Sequence, residues 1–307
     1  MPAGRRENTV LSLIGATRVV EIAAGGGTIA VKAEYLQPGG SVKDRAARAA
    51  IEGARARGAL RPGQTVVEMT SGNMGAALAV VCDALAHPFV AVMSEGNSPE
   101  RARMIRGLGA EVILVPQVDG TAGCVTGGDI GAAAERARAV AREREAFYVD
   151  QFNNPDCFAA HERTTGPELR TAYPRLDAFL ACVGTGATLI GTLRDLKRSQ
   201  PQLIGVAVEP FGAAVLGGAT VTKPAHILQG TGYGSTPPLW DAGLVDAFVT
   251  VSDQEAADER AALGRRGLYV GFSSGANVAA ARALLASGRL RANAIVATIL
   301  CDTGLKY

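Results

Sequence analysis

The sequence predicts an α/β protein of two doubly wound domains with mostly parallel sheets. Three observations carry this. The 307 residues are enough for two ordinary cores. The composition is 48% hydrophobic but only 5% aromatic, the balance of Val-rich buried strands alternating with Ala-rich helices. Apolar runs and helix-spaced runs alternate along nearly the whole chain.

In chain order, Val- and Ile-rich segments near 29–35, 65–70, 88–93 and 111–115 read as buried strands. So do those near 177–183, 203–209, 246–251 and 295–301. Between them, 44–58, 74–86, 99–108, 130–144, 187–198, 254–266 and 275–287 carry Ala, Arg and Glu at helical spacing. The Gly-rich run 118–134 reads as a mobile connector. No repeat or low-complexity segment interrupts the pattern.

Charge and cysteine usage narrow the function classes. Thirty-one basic and 29 acidic side chains leave a formal charge of +2 without a block of one sign, so no nucleic-acid footprint is expected. No window reaches the ~20 apolar residues of a membrane span, and no apolar core of a signal peptide follows the basic residues of MPAGRRENTV. Cys82, Cys124, Cys157, Cys182 and Cys301 are odd in number and lack CxxC spacing, and they read as reduced core residues of a cytoplasmic protein. No metal site is expected. The partner of such a chain is a small molecule.

In parallel sheets, ligands bind where strands run into helix N-termini, and four such junctions carry suggestive residues. In YLQPGGSVKDRAARAA (35–50), Pro38-Gly39-Gly40 turns the chain, Ser41 is placed to cap a helix, and Lys43 falls in its first turn. The positive helix terminus lowers an amine's pKa and favours a nucleophilic nitrogen, with Asp44 as cap or ion-pair partner. Alone, Lys43 reads first as an exposed lysine on an Arg-rich helix. In VVEMTSGNMGAALAVVCDA (66–84), Thr70, Ser71, Gly72 and Asn73 present hydroxyls and backbone N–H groups suited to a carboxylate, or simply cap a helix. In LACVGTGATLIGTLRDL (180–196), Gly184-Thr185-Gly186-Ala187-Thr188 suits a phosphate dianion, or serves only packing. A dinucleotide fingerprint fails there because Leu189 stands at its third glycine position. In GLYVGFSSGANVAAARALL (267–285), Ser273 is either a cap or a hydroxyl aimed into a site.

Taken together and in order, these segments resemble the cysteine synthase and cystathionine β-synthase group of pyridoxal-phosphate (PLP) enzymes, fold type II. IGATRVVEI (14–22), PGGSVKDR, TSGNMG, DQFNNP (150–155), HERTTGPEL (161–169), GTGAT, HILQGTGYG (226–234), GFSSGA and LCDTGLKY all take part. The resemblance implies PLP in a cleft between a larger domain of residues 1–40 plus 151–307 and a smaller one of 41–150. It implies that Lys43 is the Schiff-base lysine and Cα proton shuttle. It places the cofactor phosphate on Gly184, Thr185, Gly186, Ala187 and Thr188, the 3′-oxygen on Asn73 and the pyridine nitrogen on Ser273. The substrate cradle would comprise Thr70, Ser71, Gly72, Met74, Gln151, Gln229 and Gly230. The implied reaction is β-replacement on an O-activated L-serine with sulfide or a related nucleophile, in a homodimer. Serine or threonine dehydratases resemble the chain less, and a catalytically quiet regulatory relative is the alternative from another class.

Departures from the family pattern bear on the substrate. Met74 replaces the threonine of TSGNTG, which in the family donates to the substrate carboxylate. Ala187 adds a methyl to the phosphate turn, and Gln37 stands where the family has asparagine. Gln229 occupies the place of an arginine found in relatives selective for O-phosphoserine, which points toward O-acetylserine. Thr231, Tyr233, Gly234 and Ser235 differ from the usual loop, which leaves room for an unusual nucleophile.

Overall fold

A computed structural model describes residues 9–70, 72–120 and 125–307. Strands β1 (Val19–Ala24) and β2 (Gly27–Lys32) form a hairpin, followed by α1 (Lys43–Ala56). Then come β3 (Val66–Met69), α2 (Asn73–Ala84), β4 (Phe89–Ser94), α3 (Pro99–Gly107), β5 (Glu111–Val115), α4 (Gly127–Glu143) and the two-residue β6 (Phe147–Tyr148). α5 (Pro155–Ala160) and α6 (Gly166–Ala172) flank a π-helical turn at His161–Thr165. The chain continues through β7 (Ala178–Cys182), α7 (Ala187–Ser199), β8 (Ile204–Pro210), β9 (Ala247–Val251), α8 (Asp253–Arg265), α9 (Phe272–Ala286) and β10 (Ile295–Ile299).

The strands form two sheets, ordered β1-β2-β10-β7-β8-β9 and β5-β4-β3-β6. Every pairing is parallel except the β1–β2 hairpin. Side-chain alternation explains why interior strands are apolar on both faces. Ile29 and Val31 enter one core of the larger sheet while Ala30 enters the other; Leu180 and Phe179 divide in the same way. In the smaller sheet, Phe89, Ala91 and Met93 face α1 and α2, whereas Val90 and Val92 face Ala133, Ala137 and Val140 of α4. The α1 stripe Ala46, Ala47, Ala50, Ile51 and Ala54 is buried at helical spacing. Its small side chains join a core that also takes in Phe158 of α5 and Ile190 of α7, beside the larger sheet.

The hairpin strand β1 and the segment α5 to α6 were not expected from the sequence. β1 lies at a sheet edge and buries only Ile22, so it has no apolar run to detect. The Gly-rich connector is helical from Gly127 onward, where Thr126 and Asp129 form a capping box. Cys124 lies outside the described residues; Cys82, Cys157, Cys182 and Cys301 are free thiols. No described helix is long and apolar enough to cross a membrane.

Candidate active site

The carboxyl ends of β3, β7 and β10 open onto one cleft. It is lined by Lys43, Thr70, Asn73, Met74, Gln151, Gly184, Thr185, Gly186, Thr188, Gln229, Gly230 and Ser273. The residues singled out in four segments spread over more than 200 positions therefore converge. Ala187 and Gly72 adjoin this lining in the chain, and Ser71 lies outside the described residues.

Lys43 is the first residue of α1. Its Nζ makes no hydrogen bond or ion pair with the described residues, and burial holds its pKa below the ordinary lysine value. Cys157, Cys301 and Glu68 pull weakly the other way. The local geometry differs from the expectation at two points. Val42 is the N-cap, and the Ser41 hydroxyl accepts only a long hydrogen bond, 3.4 Å, from the Lys43 amide. Asp44 pairs with the turn rather than with Lys43, because its Oδ2 accepts from the Gly39 amide and so fixes the bend that presents the lysine.

The helix that carries Lys43 is anchored by a buried charge network. Arg45 makes paired hydrogen bonds of 2.7 and 2.8 Å to Glu34, and of 2.7 and 2.8 Å to Glu168 of α6. Lys32 closes the network at 2.6 Å from Glu168. The fork geometry of arginine suits two carboxylates at once.

The Thr70 Oγ1 accepts from the amides of Gly72 (3.0 Å) and Gly75 (2.9 Å), capping α2 and keeping its own hydrogen to donate. Gly72 has φ 137°, and a Cβ there would lie 2.8 Å from Arg101 Cδ. Met74 is buried against the cleft. Gln151 donates through Nε2 to Glu68 Oε1 and to the Met69 carbonyl, both at 3.1 Å, so both amide hydrogens are engaged. Donation to a substrate carboxylate requires it to release one of them.

The 184–188 turn has the features of an anion cradle. Gly186 is the left-handed N-cap of α7 at φ 86°, and a Cβ on Gly184 would sit 2.2 Å from the Gly230 carbonyl oxygen. A side chain is thereby excluded at 184, and Gly184, Thr185, Gly186 and Thr188 line the cleft at the α7 N-terminus, where the Ala187 amide makes only a long hydrogen bond, 3.4 Å, to the Thr185 hydroxyl. The Ser273 reading as a cap is not met, since the N-cap of α9 is Gly271. The Ser273 hydroxyl has no hydrogen-bond partner among the described residues and lines the cleft. An unpaired amine, an unpaired hydroxyl and a glycine-threonine turn at a helix N-terminus thus face one space. This donor set fits a phosphorylated pyridine aldehyde.

Comparison with known proteins agrees. Residues 10–302 match the family model described as pyridoxal-phosphate dependent enzyme. This chain belongs to that family. A cysteine synthase of Staphylococcus aureus (strain Mu50 / ATCC 700699) is 37% identical over 308 aligned positions, covering 98% of this chain and 95% of the relative. Among solved structures, an O-ureido-L-serine synthase is 35% identical with TM-score 0.89, covering 99% of this chain and 94% of that one. An O-acetylserine dependent cystathionine β-synthase of Helicobacter pylori is 32% identical with TM-score 0.87, covering 99% and 98%. The enzyme is therefore PLP dependent, of the cysteine synthase group and fold type II.

Sequence reasoning missed several residues that surround this site. Lys306, one residue from the end of the described chain, donates to the Gly39 carbonyl and to Asn73 Oδ1, each at 2.8 Å. Asn73 Nδ2 donates to Asp302 Oδ2 at 2.8 Å, and Asp302 also accepts from the Tyr307 hydroxyl at 2.9 Å. An ammonium on one side and a carboxylate on the other fix which way the Asn73 amide faces. Its remaining Nδ2 hydrogen is the donor left for a ligand. His161, in the π-helical turn, contacts Thr165 at 2.9 Å and Thr188 of the 184–188 turn at 3.4 Å. Burial pushes it down to about 3, so it is neutral at physiological pH. The sequence signal for the α5 element was present in Asn154-Pro155, a cap residue followed by proline at the first helical position.

Proposed function

We propose that this enzyme performs β-replacement with O-acetyl-L-serine as donor, forming L-cysteine or an analogue. The observation that carries the reading is the shared cleft of Lys43 Nζ, the Ser273 hydroxyl and the Gly184–Thr188 turn. The cysteine synthase relative and the O-acetylserine dependent relative support the reaction type. Gln229 supports acetyl over phosphoryl, because it brings no cation for a second phosphate.

When bound, PLP supplies an electron sink that makes the substrate Cα proton removable. The α7 N-terminus, Thr185 and Thr188 would hold its phosphate, with the Ala187 amide among the donors. Asn73 would donate to the 3′-oxygen. The Ser273 hydroxyl would meet the ring nitrogen as a neutral partner. Lys43 would hold the cofactor and would move a proton at the substrate Cα as general base. Burial favours the neutral amine that this task needs. The backbone around Thr70 and Gly72, together with Gln151, orients the substrate carboxylate, and Met74 contributes contact without a hydroxyl. The domain division at residues 40 and 150, a homodimeric state and a cytoplasmic location belong to the same proposal. The resemblance supports the first two, and the free thiols among the described residues fit the third.

The test is spectroscopic. Purified protein reconstituted with PLP should show a visible band that Lys43→Ala lacks, and O-acetyl-L-serine should shift it more readily than O-phospho-L-serine. A parent protein that takes up PLP but shows no shift with either donor would sink the reading.

A further inference from the structure

A second cavity, of about 140 Å³, adjoins the catalytic cleft. Gln229, Gly230, Thr231, Tyr233 and Ile130 line both spaces, so the two share a wall. This is the loop whose sequence departs from the family pattern. Beyond that common wall, the second cavity is bounded by small and apolar side chains, notably Ala213, Val221, Ala225 and Leu228, with Asn97 among the few polar ones. Among the described residues its lining contains no aspartate, glutamate, lysine or arginine. His226, also in the lining, hydrogen-bonds the Gly232 carbonyl through Nε2 at 3.2 Å. Burial lowers its pKa, so it adds no charge at neutral pH.

These features bear on the second substrate. One water molecule requires roughly 10–15 Å³ of such space, so the cavity holds about ten times what a sulfide-sized nucleophile needs. A zwitterionic acceptor would bring two ions into a lining without counter-charges, at a desolvation cost of several kcal/mol per ion. An uncharged molecule with an apolar body and a few hydrogen-bonding groups suits the lining. Gln229, whose side-chain amide has no partner among the described residues, and the Asn97 Oδ1 are available to it.

We propose that this vestibule binds the second substrate, and that it is an uncharged organic nucleophile rather than sulfide or an amino acid. The inference rests on the β-replacement reading above. In that reaction the Cβ–O bond of O-acetyl-L-serine breaks and acetate leaves with the bonding pair. The acceptor's N, O or S atom then bonds to Cβ and loses its proton, giving a β-substituted L-alanine and acetic acid with no net oxidation.

The experiment compares sulfide, L-homocysteine, pyrazole and hydroxyurea as acceptors for the PLP-loaded enzyme with O-acetyl-L-serine. It uses the parent, Ala225→Trp and Val221→Phe, two independent ways of filling the vestibule away from the catalytic cleft. In the parent, kcat/KM for at least one uncharged probe should exceed that for homocysteine tenfold or more. In both variants the ratio of that probe to sulfide should fall at least tenfold, while the spectral shift caused by O-acetyl-L-serine persists. Turnover of sulfide alone, homocysteine as the best acceptor, or an unchanged ratio in both variants overturns the vestibule assignment and leaves the donor reading intact. No spectral shift in the parent overturns both.

Discussion

Glu68 offers a sharp test of the cleft's electrostatics, because the structure buries it completely while giving it too few partners for a carboxylate. It lies on β3, with Oε1 accepting from Gln151 Nε2 at 3.1 Å and Oε2 without any partner. Burial pushes its pKa up to about 8, against the pull of the Gln151 hydrogen bonds. The folded protein therefore binds a proton that the unfolded chain, at about 4.5, releases. The stability this proton confers is fully present below the unfolded pKa and is lost as pH rises toward and through 8. At pH 7 the loss spans about 2.5 pH units at roughly 1.4 kcal/mol each, or about 3 kcal/mol. Glu68→Gln stays neutral at every pH and removes this slope. It also leaves an amide hydrogen near the unpaired Oε2 position, at a cost of about 1–3 kcal/mol that does not vary with pH. Thermal unfolding of parent and variant between pH 5 and pH 8.5 separates the two effects. The melting temperature of Glu68→Gln relative to the parent should rise with pH by several degrees. Parallel profiles for the two proteins would show that Glu68 is ionised in the folded state and would refute the reasoning.

Three further substitutions test other parts of the site. Gly184→Ala places a methyl 2.2 Å from the Gly230 carbonyl oxygen, a backbone atom that cannot rotate away. Overpacking of this kind costs about 1–3 kcal/mol, so PLP affinity measured by equilibrium dialysis should fall roughly five- to 150-fold. Arg45→Met removes the shared partner of Glu34 and Glu168, leaving Glu34 buried, and should cost about 3–5 kcal/mol in urea unfolding. Met74→Thr restores the hydroxyl that the family presents to the substrate carboxylate. A hydrogen bond to a charged group contributes about 1.5–3 kcal/mol, so the O-acetyl-L-serine concentration for half-maximal spectral shift should drop ten- to a hundredfold.

The parts of this fold legible in sequence are those where burial imposes a pattern. β4 is buried at all six positions and β8 at nearly all of its seven, and both stand out as continuous apolar runs. β1 escapes because an edge strand with one buried residue carries no such run, and β6 because two residues are too few to show a period. The 184–188 turn was legible because its glycines have a local reason to be there. Glycine permits the left-handed backbone at 186 and the close approach at 184. What remained hidden depends on contacts between distant segments. Nothing near Lys306 in sequence reveals that its ammonium lies against Asn73, 233 positions away. Nothing near Glu68 reveals that Gln151 spends an amide hydrogen on it.

Lys43 shows the same divide within a single residue. Its position in the first turn of α1 is a local property, and the helix dipole predicts a depressed pKa there. The larger cause in the structure is burial, which depends on the closure of the cleft by segments far along the chain. The groups able to oppose that burial are themselves held neutral. The Cys157 thiol is pushed up to about 12 and the Cys301 thiol is raised as well, both chiefly by desolvation, and Glu68 is raised to about 8. With Cys157, Cys301 and Glu68 chiefly protonated at neutral pH, the pull of these described residues on the Lys43 ammonium is weak. Burial without a strong counter-ion among the described residues, rather than a neighbouring cation, is what favours the neutral Lys43 amine. An acid introduced beside Lys43 should therefore impair catalysis more through the amine's charge than through any loss of packing.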